Sequence, residues 1–404
     1  MMRAFISWLS SSARRMRLRG LSDEVLPRAG RPLVVGFFGA PSGIGTGGRL
    51  VLNALRDAGL NPAAADMTGR FLPGQDRVDW RQGREFPEDD GAGPVIVHAN
   101  APEVPYVLSE LGRSRLEGRL RICFWAWEFE RLPRRWAREL VWFHECWAPS
   151  RFTADAIAAR AGNMPVRAVG YPLVGSEPSA AGIAEIRARF APGGSALVLH
   201  AFDMRSSMDR KNPLAAIEIF RRARRSSGQA YLVLKVSSSD WRKADADRLA
   251  GAIGDDDHIH ILTESVSDRE MSELVAAADV YLSPHRCEGF GLMLASTLMA
   301  GGEVMMTDWS GSREFADLPG VYPIGCTLVP AADFSRVYRP GPSRWAEPDI
   351  EEAAATLGRL LAPGRRRDRE TIASAARERF ATQRWLQGLG ASFARHAQQS
   401  GEAG

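Results

Sequence analysis

Asp279-Val280-Tyr281-Leu282-Ser283-Pro284-His285-Arg286-Cys287-Glu288-Gly289-Phe290-Gly291-Leu292 is the stretch that decides the reading of this chain. Val280 to Ser283 has the short apolar run of a buried strand, and Pro284 breaks it. The following loop carries a carboxylate, Glu288, and then Gly289 and Gly291, which let backbone approach a ligand closely. A helix starts near Leu292. A strand feeding a loop and a helix N-terminus places unpaired N–H groups at the strand's carboxyl end, where open α/β sheets take their ligands.

Upstream lies a second segment of the same kind. The strand Ala196 to His200 opens into Phe202-Asp203-Met204-Arg205-Ser206-Ser207-Met208-Asp209-Arg210-Lys211-Asn212-Pro213. Asn212 suits an N-cap and Pro213 a first helical position, and Leu214, Ile217 and Phe220 recur at helical spacing. This places Arg210 and Lys211 at a helix start, beside about half a positive charge from the helix itself. An anion would neutralise such a site, a diphosphate being the simplest candidate. The competing reading is a solvated basic loop.

The rest of the chain repeats the alternation of short strands and longer helices, which argues for parallel sheets with crossover helices. Leu33 to Phe38 reads as the first strand. It runs into a glycine-rich loop from Gly39 to Gly48, then a helix from Arg49 to Ala58; Gly43 and Gly45 lie where backbone could face an anion or a sugar. The spacing is not the dinucleotide fingerprint. Val95 to His98 reads as another buried strand, with His98 and Asn100 at its ligand end. Arg121 to Glu128 and Glu145 to Ser150 are strand-like segments flanking a helix around Pro133 to Trp136. Trp125, Trp127, Trp136 and Trp147 read as interior packing, with an acceptor platform as the alternative. Glycines and prolines between about 171 and 194 mark a boundary, after which strands return at Tyr231 to Val236 and His258 to Leu262. The expected organisation is a basic tail over 1–30, Rossmann-like α/β domains over 31–175 and 190–375, and a C-terminal helix with its tail over 376–404.

Composition agrees. At roughly 150 residues per domain, 404 residues suggest two to three domains, and 45% hydrophobic with 25% charged residues describes a globular chain. A pI near 9.0 invites a nucleic-acid reading. The first thirty residues, with six arginines against two acids, hold the whole formal excess of +4, so the body of the chain is neutral and nucleic acid is not expected. Four scattered cysteines, Cys123, Cys146, Cys287 and Cys326, suggest a reducing, cytoplasmic setting. No apolar run is long enough to span a bilayer. Phe5, Trp8, Leu9, Ala13 and Met16 have helical spacing with arginines behind them, so the segment reads either as a frayed basic tail or as a short helix at an anionic membrane surface.

Glu288-Gly289-Phe290-Gly291-Leu292, Ala300-Gly301-Gly302 and Thr307-Asp308-Trp309-Ser310-Gly311 together resemble the retaining GT-B glycosyltransferases, specifically glycosyltransferase family 4. Arg210-Lys211-Asn212-Pro213 resembles that family's diphosphate-binding segment. Trp125-Ala126-Trp127-Glu128, Trp147-Ala148-Pro149-Ser150 and Trp345-Ala346-Glu347-Pro348-Asp349 resemble a bacterial subgroup linked to cell-surface polysaccharide assembly. The resemblance spans about 33 to 390. It implies an α/β GT-B architecture of two Rossmann-like domains with parallel sheets facing across a cleft, an acceptor domain over 31–175 and a nucleotide-sugar domain over 190–375, with the C-terminal helix crossing back to the first. It also implies transfer of a sugar, with retention, from a nucleotide sugar to a glycan or lipid-linked glycan.

By the same resemblance Glu288 and His98 are the catalytic candidates. Arg205, Arg210, Lys211, Thr263, Gly289, Phe290, Gly291, Leu292 and Ser296 are donor-binding candidates, and Gly43, Gly45 and Asn100 belong to the acceptor side. No metal or other cofactor is expected. Asp255-Asp256-Asp257 reads as a solvated turn and Arg365-Arg366-Arg367 as a solvated helix start. One departure matters: Ser296 stands where the family's second glutamate would grip the donor ribose. Losing that charge-assisted hydrogen bond, about 1.5 to 3 kcal/mol, weakens the donor roughly ten- to a hundredfold. It motivates an alternative, a nucleotide-sugar-binding or scaffold protein without turnover.

Overall fold

The computed structural model of the chain describes residues 14–71, 78–88, 91–175, 178–227, 229–334, 338 and 341–397. The chain divides into two compact units. One comprises residues up to Trp127, Arg131–Pro172 and Thr382 onward; the other comprises Glu128–Glu130 and Leu173–Ala381.

The first unit is built on a six-stranded sheet of β1 (Leu33–Gly36), β2 (Ala63–Asp66), β3 (Val95–His98), β4 (Arg121–Phe124), β5 (Glu145–Ala148) and β6 (Val166–Ala168), in the order β2-β1-β3-β4-β5-β6. Every pairing is parallel. The inner strands are buried along their whole length, and the edge strands are partly exposed. Parallel strands covered by helices on both faces require this continuous apolar character rather than alternation.

A second six-stranded parallel sheet organises the other unit, from β7 (Ala196–Asp203), β8 (Ala230–Ser237), β9 (Ile259–Leu262), β10 (Val280–Ser283), β11 (Glu303–Thr307) and β12 (Val321–Ile324), ordered β12-β11-β10-β7-β8-β9. Strands β13 (Cys326–Pro330) and β14 (Arg344–Pro348) form a separate antiparallel pair. The helix Pro213–Ser227 packs Ala216, Ile217, Ile219 and Phe220 into the core beneath β7 and β8.

Both sheets contain a topological switch point. In the first, the chain leaves β1 toward β2 and returns on β1's other side as β3; in the second, β7 leads to β8 and β9 before β10 returns beside β7. At such a reversal the two outgoing loops diverge and leave a crevice at the strands' carboxyl ends. The expected ligand-facing segments flank these two crevices.

Some elements differ from the sequence reading. A helix, Ala180–Phe190, occupies the region read as a glycine- and proline-rich boundary. The single C-terminal helix is instead three, Arg369–Arg379, Thr382–Gly388 and Gly390–His396, with Gly390 at φ 84° making one of the breaks. The last two belong to the first unit, where Trp385 and Phe393 set their rings 6.2 and 5.3 Å from Trp147.

The basic segment also differs. From Arg14 to Gly30 it is packed rather than frayed: Leu18 is buried, the fully buried Arg121 donates to the Ser22 carbonyl at 3.0 Å, and Gly30 bridges Ala397. Arg121 supplies the reason, because a buried guanidinium needs acceptors and this segment provides them. Phe5, Trp8, Leu9 and Ala13 lie outside the described residues.

Candidate functional site

The loops after β7 and β10 meet at the second unit's switch point. The Lys211 ammonium pairs with the Glu288 carboxylate, and Arg210 lies 3.6 Å from the same Oε2. Arg210 is held on all sides: its guanidinium donates to the carbonyls of Cys287 (2.8 Å) and Ser206 (3.1 Å), and it lies 3.8 Å from Glu128. Tyr338 donates to Glu128 at 2.8 Å, and its ring lies under the Arg210 guanidinium. Arg210 is therefore the buried scaffold of the pair, whereas the Lys211 side chain keeps 21% exposure and Glu288 14%.

Local geometry differs from the helix start expected here. Strand β7 runs on to Asp203, and a one-turn helix, Met208–Lys211, precedes the long one. Ser207 caps that turn by accepting from the Arg210 N–H at 3.1 Å. Asn212 closes it in the left-handed conformation, φ 56°, and its amide donates to the Pro284 carbonyl at 3.0 Å instead of capping the helix that follows. Proline has no N–H to continue the turn, so Pro213 opens a new helix. Lys211 thus ends one helix, with Asn212 alone between it and the next.

The Glu288 loop is clasped from below. The Glu288 N–H donates to the Ser310 hydroxyl at 2.8 Å, and its carbonyl accepts from the Gly311 N–H at 2.8 Å. His285 lies between the Ser283 and Ser312 hydroxyls at 3.0 and 2.9 Å. Phe290 is buried edge-on against Phe315. Gly291 has φ 99°, and a Cβ there would meet Leu294 at 2.6 Å, so only glycine suits the position. It also lends no side chain to the helix Leu292–Met299, whose first turn is left without a side-chain cap. Ser296 is half-buried one turn further along that helix.

Electrostatics follow from the burial. Burial alone would push the Glu288 carboxyl up, but Lys211 and then Arg210 hold it down at about 2. Burial lowers the Lys211 ammonium, and Glu288 opposes that shift. Burial pushes Glu128 up. His285 and His200 are held near 4 by desolvation, so both are neutral at ordinary pH. The arrangement presents one partly open cation, one ionised carboxylate and a set of helix N–H groups at a strand-end crevice. It can receive an anion at Lys211 and a hydroxyl-rich group at Glu288.

Arg205 follows β7 and is occupied by Asp203, at 3.0 Å. Thr263 is exposed beyond β9, two strands from β7 and hence about 10 Å away at the usual strand spacing. Between them lies Lys235 on β8, buried and with its ammonium lowered by that burial, which the sequence reading missed. The available signal was a lone cation inside the apolar run Ala230 to Val236. Glu128, Tyr338, His200 and His285 were missed as well.

The first unit's crevice holds His98, at the end of β3. Its Nε2 is 3.1 Å from the Tyr171 hydroxyl, its ring packs on Phe124, and its buried Nδ1 has no hydrogen-bond partner among the described residues. Desolvation keeps this imidazole near 4. The Asn100 carbonyl oxygen accepts from the Ala126 N–H at 3.0 Å, fixing one loop to another. The glycine-rich stretch is helical earlier than expected: the helix runs Gly43–Asp57, and Ser42 caps it by accepting from the Gly45 N–H. Gly45 is a packing glycine, since a Cβ there would lie 2.1 Å from the Ala40 carbonyl oxygen; Gly43 is the helix's first residue.

Two surface readings change. Arg365 makes a two-pronged pair with the buried Glu303, at 2.6 Å on each side, and Arg367 reaches Asp279 at 2.7 Å, so only Arg366 of this triplet is solvated. Asp256 is likewise not a solvated turn residue, because Arg221 and Arg224 pair with it at 2.9 and 3.3 Å. The four tryptophans are buried, with Trp125 edge-on and Trp127 tilted against Trp136. Among the described residues no group of His, Cys, Asp and Glu is arranged to hold a metal ion.

The fold is that of the GT-B glycosyltransferases, a mixed α/β architecture with two parallel six-stranded sheets. Among solved structures, the chain is similar to HepE of Anabaena, determined with UDP and glucose, at a TM-score of 0.58 and 13% identity, covering 88% of this chain and 97% of HepE. It is also similar to a UDP-forming trehalose-phosphate synthase of Burkholderia xenovorans, at a TM-score of 0.57 and 14% identity, covering 92% of this chain and 100% of the synthase. A glycosyltransferase of Rickettsia africae gives a TM-score of 0.58 at 12% identity, covering 89% and 96% of the two chains. No family model matches the chain, and no curated protein matches it in sequence.

Proposed function

We propose that this protein is a retaining glycosyltransferase of family 4 type, which moves a hexosyl group from a nucleoside-diphosphate sugar to a glycan or lipid-linked glycan in cell-surface polysaccharide assembly. The observation that carries the reading is the Lys211–Glu288 pair at the β7/β10 switch point, beside the uncapped helix that begins at Leu292. As the bond from the anomeric carbon to the diphosphate breaks, negative charge grows on the departing phosphate. Lys211 and the Leu292 helix N-terminus stabilise it where water is largely excluded. Glu288, ionised at every working pH, faces the sugar, where it accepts from a hydroxyl or stabilises oxocarbenium character. Arg210 holds both in place. The acceptor attacks on the leaving-group face, so no protein nucleophile takes part and no metal or other cofactor is needed.

UDP is the first donor base to test, because UDP accompanies HepE and UDP-2-fluoro glucose accompanies an Escherichia coli relative with a TM-score of 0.55 and 12% identity. In this reading the protein works in the cytoplasm at the inner face of the membrane that carries its acceptor. The test is thermal stabilisation by UDP, GDP and ADP, followed by donor hydrolysis and transfer with the matching sugars. Stabilisation by one nucleotide with turnover of its sugars is expected; failure of every nucleotide to bind removes the reading. Ser296 favours a second reading, a donor-binding protein without turnover, and binding without hydrolysis or transfer would select it.

A further inference from the structure

We infer that the amino-terminal edge of the first unit's sheet is a docking face for an anionic lipid surface. The inference deepens the peripheral-membrane reading above and rests on it, but it places the contact on the folded body of the unit.

Three short segments meet at this edge. The segment Arg14–Gly20 is held on one side by Arg113, which donates to the Arg19 carbonyl at 3.1 Å and the Gly20 carbonyl at 2.6 Å. On its other side Arg15 pairs with Glu139, in the turn that leads into β5. Leu18 turns inward and is 1% exposed. Met16 turns outward at 63%, and Val141, two residues beyond Glu139, is 65% exposed. Arg17, Arg19, Arg113 and Arg138 are exposed around them.

Nearby acids offset only part of this charge: Asp23 and Glu24 are exposed just beyond Ser22, with Asp23 3.5 Å from the buried Arg121. Glu139 is 3% exposed and already engaged by Arg15 and Trp142, and Glu117 is engaged by Arg113 and the Ser22 N–H. What faces outward is a net excess of guanidinium groups over carboxylates around two apolar tips. A nucleic-acid backbone would neutralise the cations but give Met16 and Val141 nothing to bury in. An anionic bilayer satisfies both, with headgroup charge for the arginines and the acyl boundary for the apolar side chains.

Because the strands are parallel, this edge is the one opposite the carboxyl ends where His98 and Asn100 lie. Docking there leaves the first unit's crevice uncovered.

The test is co-sedimentation of the full chain with vesicles of phosphatidylcholine alone and with 30 mol% phosphatidylglycerol. Binding is expected only to the anionic vesicles, and to weaken steeply between low and physiological salt. Each cation at a lipid surface contributes about a fivefold change in partitioning. Arg17→Glu with Arg138→Glu therefore reduces binding by more than about twentyfold, and Met16→Asp with Val141→Asp removes the part that survives salt. Nucleotide binding and donor hydrolysis stay unchanged in these variants, which separates failure of this inference from failure of the proposed function. Equal binding to neutral vesicles, or wild-type binding by the arginine variants, overturns the inference. So does comparable affinity for double-stranded DNA that the Met16 and Val141 changes leave untouched.

Discussion

Lys211 and Glu288 are 77 residues apart in the chain and form one ion pair, delivered by the loops after two adjacent strands of a single sheet. The same two residues are thus a structural tie and the partly open face of the site.

Removing either partner strands the other charge in a poorly solvated place. Lys211→Ala and Glu288→Ala should each cost about 2 to 3 kcal/mol, at the low end for buried pairs because both side chains retain some exposure. The double variant should cost clearly less than the sum. Chemical denaturation of the three variants measures this coupling. Glu288→Gln should fold, bind nucleotide and lose at least about a hundredfold in transfer, in line with loss of one preorganised charge.

Ser296→Glu restores a carboxylate one helical turn beyond Leu292. It should tighten UDP by roughly ten- to a hundredfold, and do little for a 2′,3′-dideoxy analogue that lacks the ribose hydroxyls. Calorimetric titration of both nucleotides separates a gain made at the ribose from one made by added charge elsewhere.

Acid should destabilise the fold early. His98, His200 and His285 sit near 4, each lowered by desolvation from an ordinary value of 6.5. The unfolded chain therefore binds more protons between those values. The stability these neutral rings contribute is full above pH 6.5, falls as pH drops through the window, and is gone below 4, on the order of 3 kcal/mol per ring. Glu288 acts in the same direction lower down, between its ordinary 4.5 and about 2. Melting temperatures should be flat from pH 8 to 7 and fall steeply toward pH 5, and His285→Gln should flatten that slope.

The triplet Arg365-Arg366-Arg367 offers an internal control. Glu303→Ala deprives Arg365 of its two-pronged partner and should cost about 3 kcal/mol, whereas Arg366→Ala, on an exposed side chain, should change stability by less than about 0.5 kcal/mol. Urea unfolding of the two variants checks the contrast.

Much of this was legible in the sequence for a plain reason. Buried parallel strands must be continuously apolar, so Val95 to Val97 or Val280 to Leu282 identify themselves, and glycines at φ near 99° such as Gly291 mark the loop between strand and helix. Partners distant in the chain were not legible. Nothing near Arg210 announces that Glu128 and Tyr338 will enclose it, and the charges of Arg365 look solvated until Glu303 appears beside them. The helix start at Gly43 was hidden because glycine signals a loop by propensity, while here tight packing against Ala40 and the Ser42 cap decide the conformation. Arg14 to Gly30 was misjudged for a related reason: its anchor, the buried Arg121, lies about a hundred residues away.

The Gly30–Ala397 bridge and the rings of Trp385 and Phe393 on Trp147 have a consequence for the order in which the protein can be completed. The unit whose sequence begins first is completed second, because residues 382–397, which belong to it, follow every segment of the other unit in the chain. The second unit, whose segments all lie between Glu128 and Ala381, has its whole sequence available earlier. Until the helices Thr382–Gly388 and Gly390–His396 emerge, the indole of Trp147 lacks its covering, so the nascent chain carries an uncovered aromatic surface throughout the synthesis of the second unit.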